Sequence, residues 1–94
     1  MKYISTRGIA PELDFDDVLI TGLARDGGLY VPKEWPKFNK NEIVSMRELS
    51  YVDLSIQIMK PFIGNSISSD HFDALVRDTY DKFGHPAVAP LKQL

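Results

Sequence analysis

The chain contains no cysteine, which excludes a disulfide scaffold and every thiolate-based metal site and fits a reducing compartment. Histidine is almost as scarce, with only His71 and His85. A zinc or non-haem iron centre needs three or more convergent ligands, and nothing in the sequence accompanies either one. His71 reads as a residue in the first turn of a helix and His85 as part of its exit loop, so no metal site is expected. There is no Gly-x-Ser-x-Gly elbow and no Walker-type phosphate loop. No apolar run approaches the roughly 20 residues needed to cross a bilayer. The opening Met1-Lys2-Tyr3-Ile4-Ser5-Thr6-Arg7 lacks the apolar stretch of a secretory signal. Eleven basic residues against thirteen acidic ones, a formal charge of −2, leave no electrostatic footprint for nucleic acid. A soluble, cytoplasmic chain with no membrane and no nucleic-acid partner is expected.

What is present is an ordinary globular composition: 94 residues, 44% hydrophobic and 26% charged, enough for one small ordered domain over residues 1–94. Tyr3-Ile4-Ser5-Thr6 is β-branched and aromatic, bounded by Gly8 and Pro11, and reads as a strand. Asp14 suits a helix N-cap, with Asp16 and Asp17 placing negative charge in the first turn. That role is preferred to acid–base chemistry for the three carboxylates. Phe15, Val18, Leu19, Gly22 and Leu23 follow a helical stripe and predict one buried face. Gly22 on the stripe reads either as a point of close backbone approach or as a packing accident.

Ala24-Arg25-Asp26-Gly27-Gly28-Leu29-Tyr30-Val31-Pro32-Lys33 is the most distinctive run. Gly27 and Gly28 suit a helix C-cap and a reversal, Leu29–Val31 a short strand, and Pro32 its end. Trp35, between Pro32 and Pro36, reads as a loop anchor on the core rather than a ligand platform. Glu42 to Leu49 is a short helical turn. Ser50 and Asp53 resemble a capping box before a helix that is apolar on almost every side (Tyr51, Val52, Leu54, Ile56, Ile58, Met59 and Phe62), so it must be buried all round or covered. Pro61 should kink or end it near Lys60.

Ser68 or Ser69 caps the last helix, with Phe72, Leu75, Val76, Thr79, Tyr80 and Phe83 as its stripe. Asp73, Arg77 and Asp81 form a solvated face with i, i+4 pairing. Gly84 should stop this helix, and His85 to Leu91 continue extended. The expected architecture is α+β: a small helical domain of three to four helices with a short two-stranded β element, Tyr3–Arg7 beside Leu29–Val31. A chain that ends as it becomes extended and apolar reads as one cut from something longer.

Ser5-Thr6-Arg7 combines two hydroxyls and a guanidinium ahead of Gly8, a set of donors that could hold an anion. The alternative is a strand end whose polar groups meet solvent or a neighbouring loop.

The string itself carries a further signal. Tyr3-Ile4-Ser5-Thr6-Arg7-Gly8, Pro11, Phe15, Val18-Leu19 and the whole run from Gly22 to Pro32 occur in order and at compatible spacing. Trp35-Pro36, Tyr51, Pro61-Phe62-Ile63-Gly64 and His85-Pro86-Ala87-Val88-Ala89-Pro90-Leu91 continue it. Together they resemble the amino-terminal domain of the threonine synthase family. The resemblance implies a pyridoxal-phosphate enzyme, a carbon–oxygen lyase that converts O-phospho-L-homoserine and water to L-threonine and phosphate. It implies a Schiff-base lysine in a Phe-Lys-Asp motif. None of Lys37, Lys40, Lys60, Lys82 and Lys92 stands between Phe and Asp in that order.

The resemblance therefore places the catalytic lysine and the cofactor contacts outside these residues. It leaves this chain without catalysis of its own, partnered by the remaining catalytic domains of the same protein. Ser5, Thr6 and Arg7 are the candidate residues facing the active site. Two other classes compete. A stand-alone helical protein-interaction module fits the all-round apolar helix. A helix-turn-helix DNA binder fits the helix count but lacks a basic face.

Overall fold

The alternation of Lys2, Tyr3, Ile4 and Ser5 sends Tyr3 and Ser5 to one side of a strand, and both are buried there. The computed structural model describes residues 1–94. It contains β1 (Lys2–Ser5), β2 (Leu13–Asp14), α1 (Phe15–Thr21), β3 (Tyr30–Pro32), α2 (Lys40–Ser45), a 3₁₀ turn (Met46–Glu48), α3 (Tyr51–Ile63) and α4 (Ser69–Asp81). Four helices and a small antiparallel sheet make the α+β class expected from the sequence.

The sheet has three strands in the order β2-β1-β3. The expected pair forms with shifted ends, Lys2–Ser5 beside Tyr30–Pro32. Ile4 faces Val31 and Ser5 faces Tyr30, while Thr6, Arg7 and Leu29 lie just beyond the strands. Pro32, opposite Tyr3, lies on an edge strand, where its missing N–H does not interrupt the ladder. The third strand, Leu13–Asp14, pairs with Lys2 and Tyr3 on the other edge. Two residues carry no periodicity, so only the pairing reveals it.

Several local expectations are corrected. The first helix ends at Thr21, with Gly22 at φ 71° as its C-cap and its N–H on the Val18 carbonyl. Gly27-Gly28 is therefore not that helix's C-cap, and open space lies where a Gly22 side chain would stand. Asp14 does occupy the N-cap position, but its carboxylate pairs with Lys2 at 3.2 Å instead of capping. No residue of α1 is fully buried, although Phe15 packs against the core.

The third helix continues through Pro61 to Ile63. Pro61 forgoes one hydrogen bond and crowds the carbonyl one turn earlier, a cost confined to the last turn, and the Gly64 N–H still closes that turn on Lys60. Ser50 accepts from the Asp53 N–H, the half of the capping box that holds α3. The full box belongs to α2, where Asn39 and Glu42 cap each other reciprocally.

Ser68 caps α4. That helix ends at Asp81, before Gly84, on a C-cap at Lys82. Residues His85–Ala89 then turn back instead of running extended: the Val88 N–H donates to the His85 carbonyl and the Ala87 N–H to His85 Nδ1. The i, i+4 pairs expected on the polar face of α4 are replaced by bridges across the helix pair. Lys60 meets Asp73 at 3.0 Å and Arg77 meets Asp53 at 2.6 Å.

The core is the seam between α3 and α4, where Ile56, Ile63, Phe72 and Val76 are buried against Phe15, Val52, Met59, Ile67 and Tyr80. Burying each such side chain contributes roughly 1.5–3 kcal/mol. Trp35 reaches the domain by its edge contact with Phe62, at 6.2 Å between ring centres, but stays largely exposed. The loop-anchor reading holds only for that edge.

Much apolar surface is left uncovered. The accessible area is 7310 Å², whereas a folded protein of this mass exposes about 5,500 Å². Leu19, Ile20 and Leu23 are 67%, 86% and 64% exposed. A groove of about 280 Å³ runs past Phe15, Leu19, Met59, Phe72 and Leu75.

Candidate functional site

The end of β1 and the glycine turn before β3 form one continuous polar corner. Antiparallel pairing brings the two segments together: the Thr6 N–H donates to the Leu29 carbonyl at 2.8 Å. The turn is closed by the Gly27 N–H on the Ala24 carbonyl and the Ala24 N–H on the Gly28 carbonyl. Gly27 takes φ +83°, a left-handed conformation suited to glycine.

At the centre of the corner is the Asp26 carboxylate, which the sequence reading did not single out. It accepts from Ser5 Oγ at 2.8 Å, from the Ile9 N–H at 3.1 Å, from the Ala10 N–H at 2.9 Å and from the Gly28 N–H at 2.9 Å. Desolvation opposes its charge. The hydrogen bonds from Gly28, Ala10, Ser5 and Ile9 outweigh that and hold the carboxyl well below the ordinary carboxylate range. The signal was local: an aspartate two residues before a glycine forms an Asx turn onto that glycine's N–H.

Ser5 is buried at 4% exposure, and its hydroxyl is committed to Asp26. It also accepts the Arg7 N–H at 3.2 Å. Thr6 and Arg7 are exposed. Thr6 Oγ1 accepts the Leu29 N–H at 3.0 Å, fixing the hydroxyl against the start of β3. Arg7 Nη1 donates to the Asp26 backbone carbonyl at 3.1 Å. The guanidinium lies across Gly27, where a Cβ would come within 2.7 Å of Nη1 and 3.3 Å of Cζ.

Gly28 is closed to a side chain for a different reason. A Cβ there would collide with Ser5 Oγ and press on Asp26 Oδ1 and Thr6 Oγ1. The structure thus brings Ser5, Thr6 and Arg7 together, each hydrogen-bonded to the corner itself, whose internal anion is Asp26.

The histidines stand apart from this corner, His71 in the first turn of α4 and His85 beyond its end. No group of three or more His, Asp or Glu side chains is arranged to hold a metal ion. No helix is long and apolar enough to cross a membrane.

Comparison with known proteins places this geometry. Residues 2–80 match the family described as threonine synthase N terminus. Across its whole length the chain is 52% identical to a threonine synthase of Pseudomonas aeruginosa and 36% identical to one of Schizosaccharomyces pombe. It spans 20% and 18% of those proteins, so it covers about a fifth of the curated relatives it matches. A crystal structure of PLP-bound threonine synthase from Brucella melitensis superposes with a TM-score of 0.93 at 49% identity, over 99% of this chain and 20% of that one. A threonine synthase structure from Escherichia coli gives 0.79 at 28% identity, over 86% of this chain and 19% of that one.

Proposed function

The chain belongs to the threonine synthase N-terminal family, and from that premise we propose that it is the amino-terminal domain of a cytoplasmic, PLP-dependent threonine synthase. The full protein converts O-phospho-L-homoserine and water to L-threonine and phosphate, a carbon–oxygen lyase reaction in amino-acid biosynthesis. The observation that carries this reading is the near-complete superposition on the PLP-bound Brucella melitensis enzyme.

The residues of this chain do not themselves fit the cofactor. Lys2, Lys33 and Lys82 lie against carboxylates at 3.2, 2.7 and 3.1 Å on the exposed surface, and the half-buried Lys60 is paired with Asp73 at 3.0 Å. None of the seven lysines stands in a Phe-Lys-Asp sequence. No chemical step through the cofactor is assigned to them. The Schiff-base lysine belongs to a Phe-Lys-Asp segment of the catalytic domains, and the 94 residues alone are inactive.

The contribution of the domain is cover and positioning. The exposed Leu19, Ile20 and Leu23 dock on the remaining catalytic domains of the same protein, removing apolar area from water. The Ser5-Thr6-Arg7 edge faces the active site. Release of inorganic phosphate together with L-threonine from phosphohomoserine by the full-length protein tests the activity, and its absence overturns it. In that protein Arg7→Ala tests the edge, which is refuted by an unchanged kcat/KM.

A further inference from the structure

Arg7 is an oriented cation without a carboxylate partner. Asp26, the nearest acid in the corner, turns its carboxylate inward to Ser5, Ile9, Ala10 and Gly28. It offers Arg7 only a backbone carbonyl. That single bond occupies one of the five guanidinium N–H donors. The guanidinium also lies close over Gly27, where a Cβ would stand 2.7 Å from Nη1 and 3.3 Å from Cζ. The turn thus holds one end of the group, while its other donors have no partner within the chain.

A planar fork with free donors and an uncompensated charge is suited to the oxygens of a phosphate monoester, which it can bind in bidentate fashion. Ser5 cannot match it, because its hydroxyl is buried and donates to Asp26. Thr6 Oγ1 accepts the Leu29 N–H and keeps its own O–H as a donor, but it brings neither charge nor a fork.

We propose that Arg7 binds the phosphate group of the phosphorylated substrate in the assembled enzyme, and that Asp26 and Gly27 are its positioning residues. This rests on the reading of the whole protein as a threonine synthase whose Ser5–Arg7 edge faces the active site. Asp26 acts at one remove. Its carboxylate shapes the turn, and the turn presents both the carbonyl and the glycine surface that hold the guanidinium. Substitution at Gly27 reaches Arg7 by a second route, because a methyl group there displaces Nη1 directly.

The test uses the full-length enzyme, with KM and kcat for phosphohomoserine and inorganic phosphate as the inhibitory probe. Arg7→Ala is expected to raise KM and the phosphate inhibition constant together, by roughly ten- to hundredfold for a lost charge-assisted contact, with kcat less affected. Arg7→Lys recovers only part of this, since an ammonium lacks the fork. Gly27→Ala and Asp26→Asn move both constants in the same direction, and Gly27→Ala adds nothing in an Arg7→Ala background. Gly27→Ala must also hold φ +83°, so its folding is checked by a thermal melt, and the comparison with the Arg7→Ala background isolates the part of its effect that passes through Arg7.

Wild-type protein that releases no phosphate from phosphohomoserine overturns the functional reading itself. An Arg7→Ala enzyme unchanged in every constant overturns the active-site-facing edge. A fall in kcat with an unchanged phosphate inhibition constant overturns the phosphate contact alone. An effect of Arg7→Ala with none from Gly27→Ala overturns the positioning.

Discussion

The Tyr3 hydroxyl donates to the main-chain carbonyl of Phe62, 59 residues further along the chain. This bond ties the central strand to the last turn of α3, where carbonyls have no partner within the helix. Tyr3 is buried, and burial pushes its hydroxyl pKa up, keeping the donor protonated. The Tyr3 ring also leans on Phe15, with 6.3 Å between ring centres. One side chain therefore joins β1, α1 and α3. Tyr3→Phe keeps the ring and removes only the bond, and should cost about 1 kcal/mol. Chemical denaturation should show a lower midpoint with an unchanged slope; an unchanged midpoint would mean that the bond contributes nothing.

The Asp26 corner predicts a specific acid sensitivity. In the unfolded chain this carboxyl takes up a proton near its ordinary pKa of 3.8, while in the fold it stays ionised to lower pH. The stability it contributes is thus fully present above pH 3.8 and declines as pH falls towards the lower folded value. Wild type should be more stable than Asp26→Asn at neutral pH, and the gap should narrow between about pH 5 and about pH 2. A gap that stays constant on acidification would show that the folded and unfolded carboxyl groups titrate alike.

These two relationships differ in how far they were legible in the sequence. Strands at Tyr3 and Val31, the Ser68 cap and the Phe72–Val76 stripe each rest on a local rule that tertiary packing leaves intact. The stripe through Phe15, Val18, Leu19, Gly22 and Leu23 misled because its period continued past the point where Gly22 adopts a left-handed φ. Periodicity carries no information about φ. Arg77 and Asp73 had partners at the right spacing on their own helix, yet α3 offered Asp53 and Lys60 at closer range. The role of Asp26 was only half legible. Its turn onto Gly28 is local, but Ser5, Ile9 and Ala10 reach it only once β1 and β3 have paired.

The two glycines at the ends of this region should fail for different reasons. Gly22→Ala meets open space but must hold φ 71°, which costs roughly 1–2 kcal/mol. Gly28→Ala meets no such conformational barrier. Its methyl group instead intrudes on Ser5, Thr6 and Asp26, an overpacking that costs roughly 1–3 kcal/mol. Thermal melts of Gly28→Ala alone and with Ser5→Ala separate the two causes. Removing the Ser5 hydroxyl should relieve part of the Gly28 penalty and none of the Gly22 penalty. Equal rescue at both positions would refute the steric account.

The core and the uncovered face should respond oppositely to context. Phe72 is buried in the α3–α4 seam, so Phe72→Ala should cost about 3–5 kcal/mol whether the 94 residues are alone or joined to the rest of the protein. Ile20 is 86% exposed here, so Ile20→Asp should change the stability of the 94-residue chain by no more than about 0.5 kcal/mol. In the full-length protein the docking face proposed above includes this side chain, so an aspartate there would be buried without a partner or would hold the domains apart. Its domain should then melt earlier and be cleaved faster by protease. The measurement is the difference between the two contexts: a substitution silent in both would leave Leu19, Ile20 and Leu23 outside the docking face.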